Sequence, residues 1–164
     1  MSLVQFCPTC WAANPIDATT CERCNASFAR TGPIFYDQKL IWALQHPVPE
    51  TRELAAMLLG QRREKHALPL LMSRLSEETD IGVLCAISKA LGELGDCQVV
   101  DSLAKRLAQP HALVVALTIV DVLATLAHKG CWEALEVLKA PPAVSERVAQ
   151  EIKTTLEKLQ PLYY

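Results

Sequence analysis

From about Tyr36 onward the chain sets apolar residues at helical spacing, with almost no strand-like alternation. The runs predict helix pairs joined by short loops. The first pair covers about 51–61 and 65–76, the second 82–95 and 98–109, the third 113–128 and 131–140. Pro110 and Pro141-Pro142 mark stops. Ahead of the pairs, Tyr36–His46 reads as an orphan second helix, with Leu40 and Leu44 facing the stack and His46-Pro47-Val48-Pro49 ending it. After them, Val144–Leu159 carries Val144, Val148, Ile152, Leu156 and Leu159 along one stripe and charged residues opposite. An amphipathic end helix suits the cap of a stacked array. The helix over Leu113–Ala127 is apolar nearly all round, so neighbours must cover it on several sides, or it leaves a patch for self-association.

The chain also partly overlays itself when slid along by one helix pair. In that register Leu59-Gly60 meets Leu91-Gly92, Leu71 meets Leu103, Arg74 meets Arg106 and Leu75 meets Leu107. A second shift of the same size takes Leu91 to Leu123 and Leu103 to Leu135. Lys89 and Asp121 are also one period apart, on successive first helices, where a stacked pair of charges can meet.

Cysteine changes the picture at the N-terminus. Four of the seven Cys fall close together there, as Cys7-Pro8-Thr9-Cys10 and Cys21-Glu22-Arg23-Cys24. Each C-x-x-C turn brings two thiolates to one ion, and the segment from Trp11 to Thr20 is long enough to bring the second pair round to the opposite side. Four thiolates make the closed tetrahedral shell of structural Zn2+, with iron as the competitor for an all-sulfur site. Cys85, Cys97 and Cys131 have no such partner and are expected as buried free thiols. A nucleophile or second metal site built from Cys131 with His111 or His128 has no supporting motif.

Residues 6–28 resemble the short bacterial and archaeal zinc-ribbon family through Phe6-Cys7-Pro8-Thr9-Cys10, Asn14-Pro15, Cys21-Glu22-Arg23-Cys24 and Phe28. The family's glycine after each pair is replaced here by Trp11 and Asn25. Asn tolerates a left-handed backbone. Trp does not, so the first knuckle either takes a different backbone or has its strain compensated. Trp11 is then a cover for the metal site, a contact docking the ribbon on the next domain, or a partner contact.

The segments Glu53–Leu75 and Ala86–Leu107 resemble HEAT repeats of the short form often called the phycobilisome-lyase type. The matching elements are Ala55-Ala56-Met57-Leu58-Leu59-Gly60 with Ala67-Leu68-Pro69-Leu70-Leu71, and Leu91-Gly92-Glu93-Leu94-Gly95-Asp96 with Val99–Leu107. The third repeat is degenerate, with Ala124 and His128 at the Gly and Asp positions. The resemblance covers about residues 36–160. It implies an all-α fold: a short HEAT-like α-solenoid behind a small four-cysteine ribbon, with a ribbon at 1–30, a linker at 31–35 and repeats over 36–164. It also implies that second helices line the inner surface, which places Arg74, Lys105 and Arg106, with Gln109, on a partner groove.

Charge restricts the function classes. The net charge is −2, and the residues from 35 onward hold 14 Lys and Arg against 16 Asp and Glu. Neither module offers the basic face that nucleic acid requires. The cluster Arg62, Arg63, Lys65 and His66 sits in one turn without interleaved aromatics and reads as a solvated loop. No secretory signal or spanning run is evident, which points to the cytoplasm. The expectation is a non-catalytic adaptor that binds another protein and carries structural zinc. Its rivals are a bilin lyase or isomerase, which some relatives of this repeat type are, and a nucleic-acid-binding HEAT protein.

Overall fold

A helix with one apolar stripe is stable only when another element covers that stripe. The computed structural model describes residues 4–7, 9–28 and 36–159 and meets this demand by stacking helix pairs. The helices are α1 (Tyr36–Ala43), α2 (Pro49–Gln61), α3 (Leu68–Glu77), α4 (Ile81–Leu94), α5 (Val100–Leu107), α6 (Leu113–His128), α7 (Trp132–Lys139) and α8 (Glu146–Leu159). The first helices of successive pairs form one layer, with α2 against α4, α4 against α6 and α6 against α8. The second helices form the other, with α3 against α5 and α5 against α7. One apolar core runs between the layers, from Leu40 and Leu44 on the α1 side to Val148, Ile152 and Leu159 at the other end.

The expected elements are present, with shifts of up to three residues at either end. Pro49 opens α2 at a position whose N–H needs no partner. Before α3 and α5, Lys65–Ala67 and Cys97–Val99 form short 3-10 turns. Each turn is capped by a carboxylate, and the two are one period apart: Glu64 accepts the His66 amide at 3.1 Å and Asp96 accepts the Gln98 amide at 3.0 Å. At the α4 start, Asp80 accepts the Val83 amide at 3.0 Å, and Gly95 closes that helix at φ +69°. The helix α6 is covered by α4, α5, α7 and α8, and only its start shows Leu113 and Val114 to solvent. Helix α8 buries its stripe on α6 and turns its charged face outward, as a cap.

Gly60 and Gly92 set how closely the first helices approach. A Cβ on Gly60 would lie 2.7 Å from the Ala90 Cα, and one on Gly92 would lie 2.9 Å from a Val122 methyl. At the next equivalent position stands Ala124, and there a cleft of about 510 Å³ opens between α6 and α8.

Two sequence expectations are corrected. Lys89 and Asp121 are both exposed and form no ion pair among the described residues; in water the attraction of such a pair scarcely exceeds the cost of ordering it. Cys97 and Cys131 are not free thiols but a disulfide that ties the turn before α5 to the start of α7. Stacking brings equivalent turns of adjacent repeats together, with the two Cα atoms 5.4 Å apart, and no local motif announces that. Cys85 remains a thiol, partly buried, 3.6 Å from the Thr118 hydroxyl.

The first repeat is locked by buried charge. Glu78, 4% exposed, receives the Arg52 Nε at 2.8 Å and Nη2 at 3.0 Å, the Arg74 Nη2 at 3.1 Å, and the amides of Thr79 and Asp80 at 2.9 and 3.0 Å. One carboxylate thus joins α2, the end of α3 and the entry to α4. Burial pushes its pKa up, but Arg52 and the two amides outweigh that and pull it from the usual 4.5 down to about 2.

A folded pKa below the unfolded value adds stability that is complete above about pH 4.5 and fades as the pH falls toward 2. The shift is worth on the order of 3 kcal/mol. Glu78→Gln is expected to cost a similar amount at neutral pH and to flatten the pH dependence of denaturant midpoints between pH 5 and about 2. A variant with the same acid slope as the parent would refute this role.

The disulfide joins positions 34 apart in sequence. By the chain-entropy relation, Cys97→Ser with Cys131→Ser should lower unfolding free energy by roughly 3–4 kcal/mol, measured in urea. No change would mean that stacking alone already restricts these turns in the unfolded chain.

Candidate metal centre and partner face

The N-terminal segment up to Phe28 is too short to bury an apolar core, and its structure is organised around sulfur instead. Strands β1 (Val4–Phe6) and β2 (Ala13–Pro15) pair antiparallel, with Gln5 opposite Asn14. The pairing carries Cys7 to the turn between them. Two knuckles of the same form follow. In the first, Cys7 N–H donates to Ala12 O at 3.0 Å and Trp11 N–H to Cys7 O at 2.8 Å. In the second, Cys21 N–H donates to Ala26 O at 2.8 Å and Asn25 N–H to Cys21 O at 2.9 Å.

Both knuckles need a left-handed residue after the second cysteine, and both have one: Trp11 at φ 58° and Asn25 at φ 56°. Trp11 therefore keeps the ordinary knuckle backbone, and its strain is compensated. Its ring lies 4.4 Å from the His46 imidazole, edge to face, at the end of the segment that leads into α2. That contact joins ribbon and helices.

The four sulfurs of Cys7, Cys10, Cys21 and Cys24 lie within 4.8 Å of one another. Cys7 Sγ is 3.6 Å from Cys24 Sγ, and Cys10 Sγ is 3.5 Å from Cys21 Sγ. A tetrahedral ion at about 2.3 Å from each sulfur needs S···S edges close to this, about 3.8 Å. The set can hold one metal ion, and its four soft donors suit zinc or iron. Amides orient the thiolates: Thr9 N–H points to Cys7 Sγ and Arg23 N–H to Cys21 Sγ, each at 3.4 Å. Burial raises the Cys21 thiol, but the amides of Cys24 and Arg23 hold it down at about 6. The Ala26 amide lowers Cys24, yet the neighbouring sulfurs of Cys10, Cys7 and Cys21, with burial, push it up to about 12. Four thiolates cannot share this space without a cation among them.

Asn14, which the sequence offered only as part of the family match, has a role that sequence reasoning did not assign. It is 2% exposed, donates from Nδ2 to Ala12 O at 2.7 Å, and accepts the Glu22 amide at 2.9 Å. One side chain thus braces both knuckles, and Nδ2 also lies 3.7 Å from Cys21 Sγ. The only hint in the sequence is an Asn-Pro step midway between two C-x-x-C pairs.

The candidate partner residues on the helices separate. Arg74 is engaged from both sides by Glu77 at 3.5 Å and Glu78 at 3.1 Å. Lys105 is exposed and pairs with Asp101 at 2.6 Å. Arg106 is buried, and its Nη1 donates to Gln109 Oε1 at 2.6 Å. Of the basic turn, Arg62 pairs with Asp37 at 2.6 Å, and His66 Nδ1 lies 2.7 Å from a Glu64 carboxylate oxygen. Trp132 stands out to solvent at 64% exposure, whereas Trp42 is half-buried. Tyr163 and Tyr164 lie outside the described residues.

Stacked helix pairs with a short repeat define an α-solenoid. The model of HEAT repeats matches residues 38–124, more than half of the chain, and the protein belongs to the HEAT-repeat family. No curated protein matches the sequence. Among the described residues, no helix is long and apolar enough to cross a membrane.

Metal analysis of the purified chain is expected to give one ion per molecule, and Cys10→Ser or Cys21→Ser to remove it. Because the helices have their own core, a chelator should leave helical circular dichroism nearly unchanged while erasing ribbon structure. Full metal content in either serine variant would exclude the four-sulfur site.

Proposed function

We propose that this protein is a non-catalytic cytoplasmic adaptor. Its ribbon folds around one structural Zn2+, and its helical array presents the second-helix layer to another protein. HEAT repeats commonly serve as protein-interaction scaffolds, and this chain has the stacked pairs that build one. Four protein thiolates fill a zinc shell, which supports a structural and not a catalytic ion. Trp11 on His46 supports a ribbon held against the array as part of one surface.

The observation that carries the reading is the cleft between α3 and α5. It measures about 280 Å³ and is lined by the serines, Lys105, Arg106 and Gln109 of the second-helix layer. A pre-formed groove on stacked helices gives a partner a fixed surface at little ordering cost.

The test is affinity capture from the source cytoplasm with the full chain and with Ser76→Glu plus Lys105→Glu. Both side chains are exposed, so the fold should tolerate them. A protein held by the parent and lost at least tenfold by the variant supports the adaptor. Capture of nucleic acid instead, or no protein at all, overturns it. Equal capture by both chains overturns the second-helix face.

A further inference from the structure

The repeat places Gln109 and Pro110 where the preceding repeat has Glu77 and Glu78. Arg74 has those two carboxylates beside it: Nη1 meets Glu77 and Nη2 meets Glu78, while its Nε is buried without an acceptor. Arg106, its counterpart in the next repeat, has Gln109 on Nη1 and no carboxylate partner among the described residues. Its Nε, like that of Arg74, is buried without an acceptor, and the residue is only 9% exposed, so the two differ in the missing carboxylates. A guanidinium keeps its charge at any physiological pH, so burial without a counter-ion is costly. The second repeat therefore contains a fixed positive charge with no built-in anion among the described residues.

This side chain lines the α3–α5 cleft. Around it stand Ser102, half-buried and without a hydrogen-bond partner among the described residues, and Lys105, whose exposed pairing with Asp101 is easily exchanged. We propose that the cleft takes a carboxylate from an acidic segment of the partner protein, with Arg106 as the receiving group. The ligand supplies Arg106 with the acceptor that Glu78 supplies to Arg74. Arg74 shows the grip expected, since its Nη2 holds Glu78 at 3.1 Å. With Nη1 taken by Gln109 and Nε buried, Nη2 is the nitrogen that Arg106 has left. A carboxylate fits better than a phosphate. One guanidinium and one lysine already shared with Asp101 balance a single negative charge, and Glu77 stands exposed on the α3 side.

The inference rests on the adaptor reading for its partner but has a readout of its own. The full-length chain, labelled with nitrogen-15, is titrated with acetyl-hexaglutamate-amide, and the arginine Nε–Hε resonances are followed. The Arg106 signal is assigned by its loss in Arg106→Lys. A saturable shift of that signal is expected, with affinity at least tenfold weaker in Ser102→Asp, which places a carboxylate in the cleft, and in Arg106→Lys by a second fluorescent-peptide titration. Thermal melts establish that each variant is folded, and the wild-type shift is read whether or not they are. The proposal is overturned by an unmoved Arg106 signal, by an equal shift with acetyl-hexaglutamine-amide, by unchanged affinity in Ser102→Asp, or by inorganic phosphate or a phosphoserine peptide binding more tightly than hexaglutamate. If the parent captures a protein partner and Ser102→Asp captures it equally, the carboxylate site is wrong and the adaptor stands. If the parent captures none while hexaglutamate binds at Arg106, the adaptor is wrong and the carboxylate site stands.

Discussion

The stacking of α2, α4, α6 and α8 is the constraint on which the helical part depends. No single pair can bury both of its apolar faces, so each helix is stable only against its neighbours in the next repeat. Close approach makes that stacking tight, and Gly60 and Gly92 permit it by leaving room for Ala90 and Val122. Once the first helices are in register, everything at equivalent positions comes into register too. The capping carboxylates Glu64 and Asp96 repeat, the arginines Arg74 and Arg106 repeat, and the turns that carry Cys97 and Cys131 meet.

The ribbon obeys a different rule. It has Val4, Phe6 and Ile16 turned to solvent and, among the described residues, no apolar interior beyond its cysteines. Its order comes from two knuckles that converge four sulfurs and from Asn14, which bridges them. A thiolate cluster without a cation would oppose that convergence through like charge, so metal binding and folding of this part are one event. Trp11 shows the two modules interacting. A left-handed backbone costs a tryptophan on the order of 1–3 kcal/mol, which its contact with His46 and the knuckle hydrogen bond help to offset.

Much of this was legible in the sequence, for reasons that differ by residue. Helix positions follow from apolar spacing, which reports burial directly, so α6 at Leu113–His128 matched its expected span. The four ligands follow from local C-x-x-C geometry. What stayed hidden depends on contacts between distant segments. Cys97 and Cys131 are joined by the stacking of two turns. Glu78 looks like any residue in an acidic Glu77-Glu78 step, yet it is the buried centre of a network that reaches back to Arg52. Lys89 and Asp121 had the right period but point to water, because period fixes neighbourhood and not side-chain direction.

Repeat architecture separates what a position does for stability from what it is free to do otherwise. The Arg52–Glu78–Arg74 group uses its charge internally and ties three helices together. One period later, Leu84 stands at the place of Arg52, Gln109 at Glu77 and Pro110 at Glu78, while the arginine at Arg74 recurs as Arg106. An arginine without such partners gives up stability, because its charge is buried and unanswered. The first helices and the continuous core can carry that cost. A difference between equivalent positions therefore marks where an array of similar units acquires a specific surface, and in this chain the difference falls on the α3–α5 cleft.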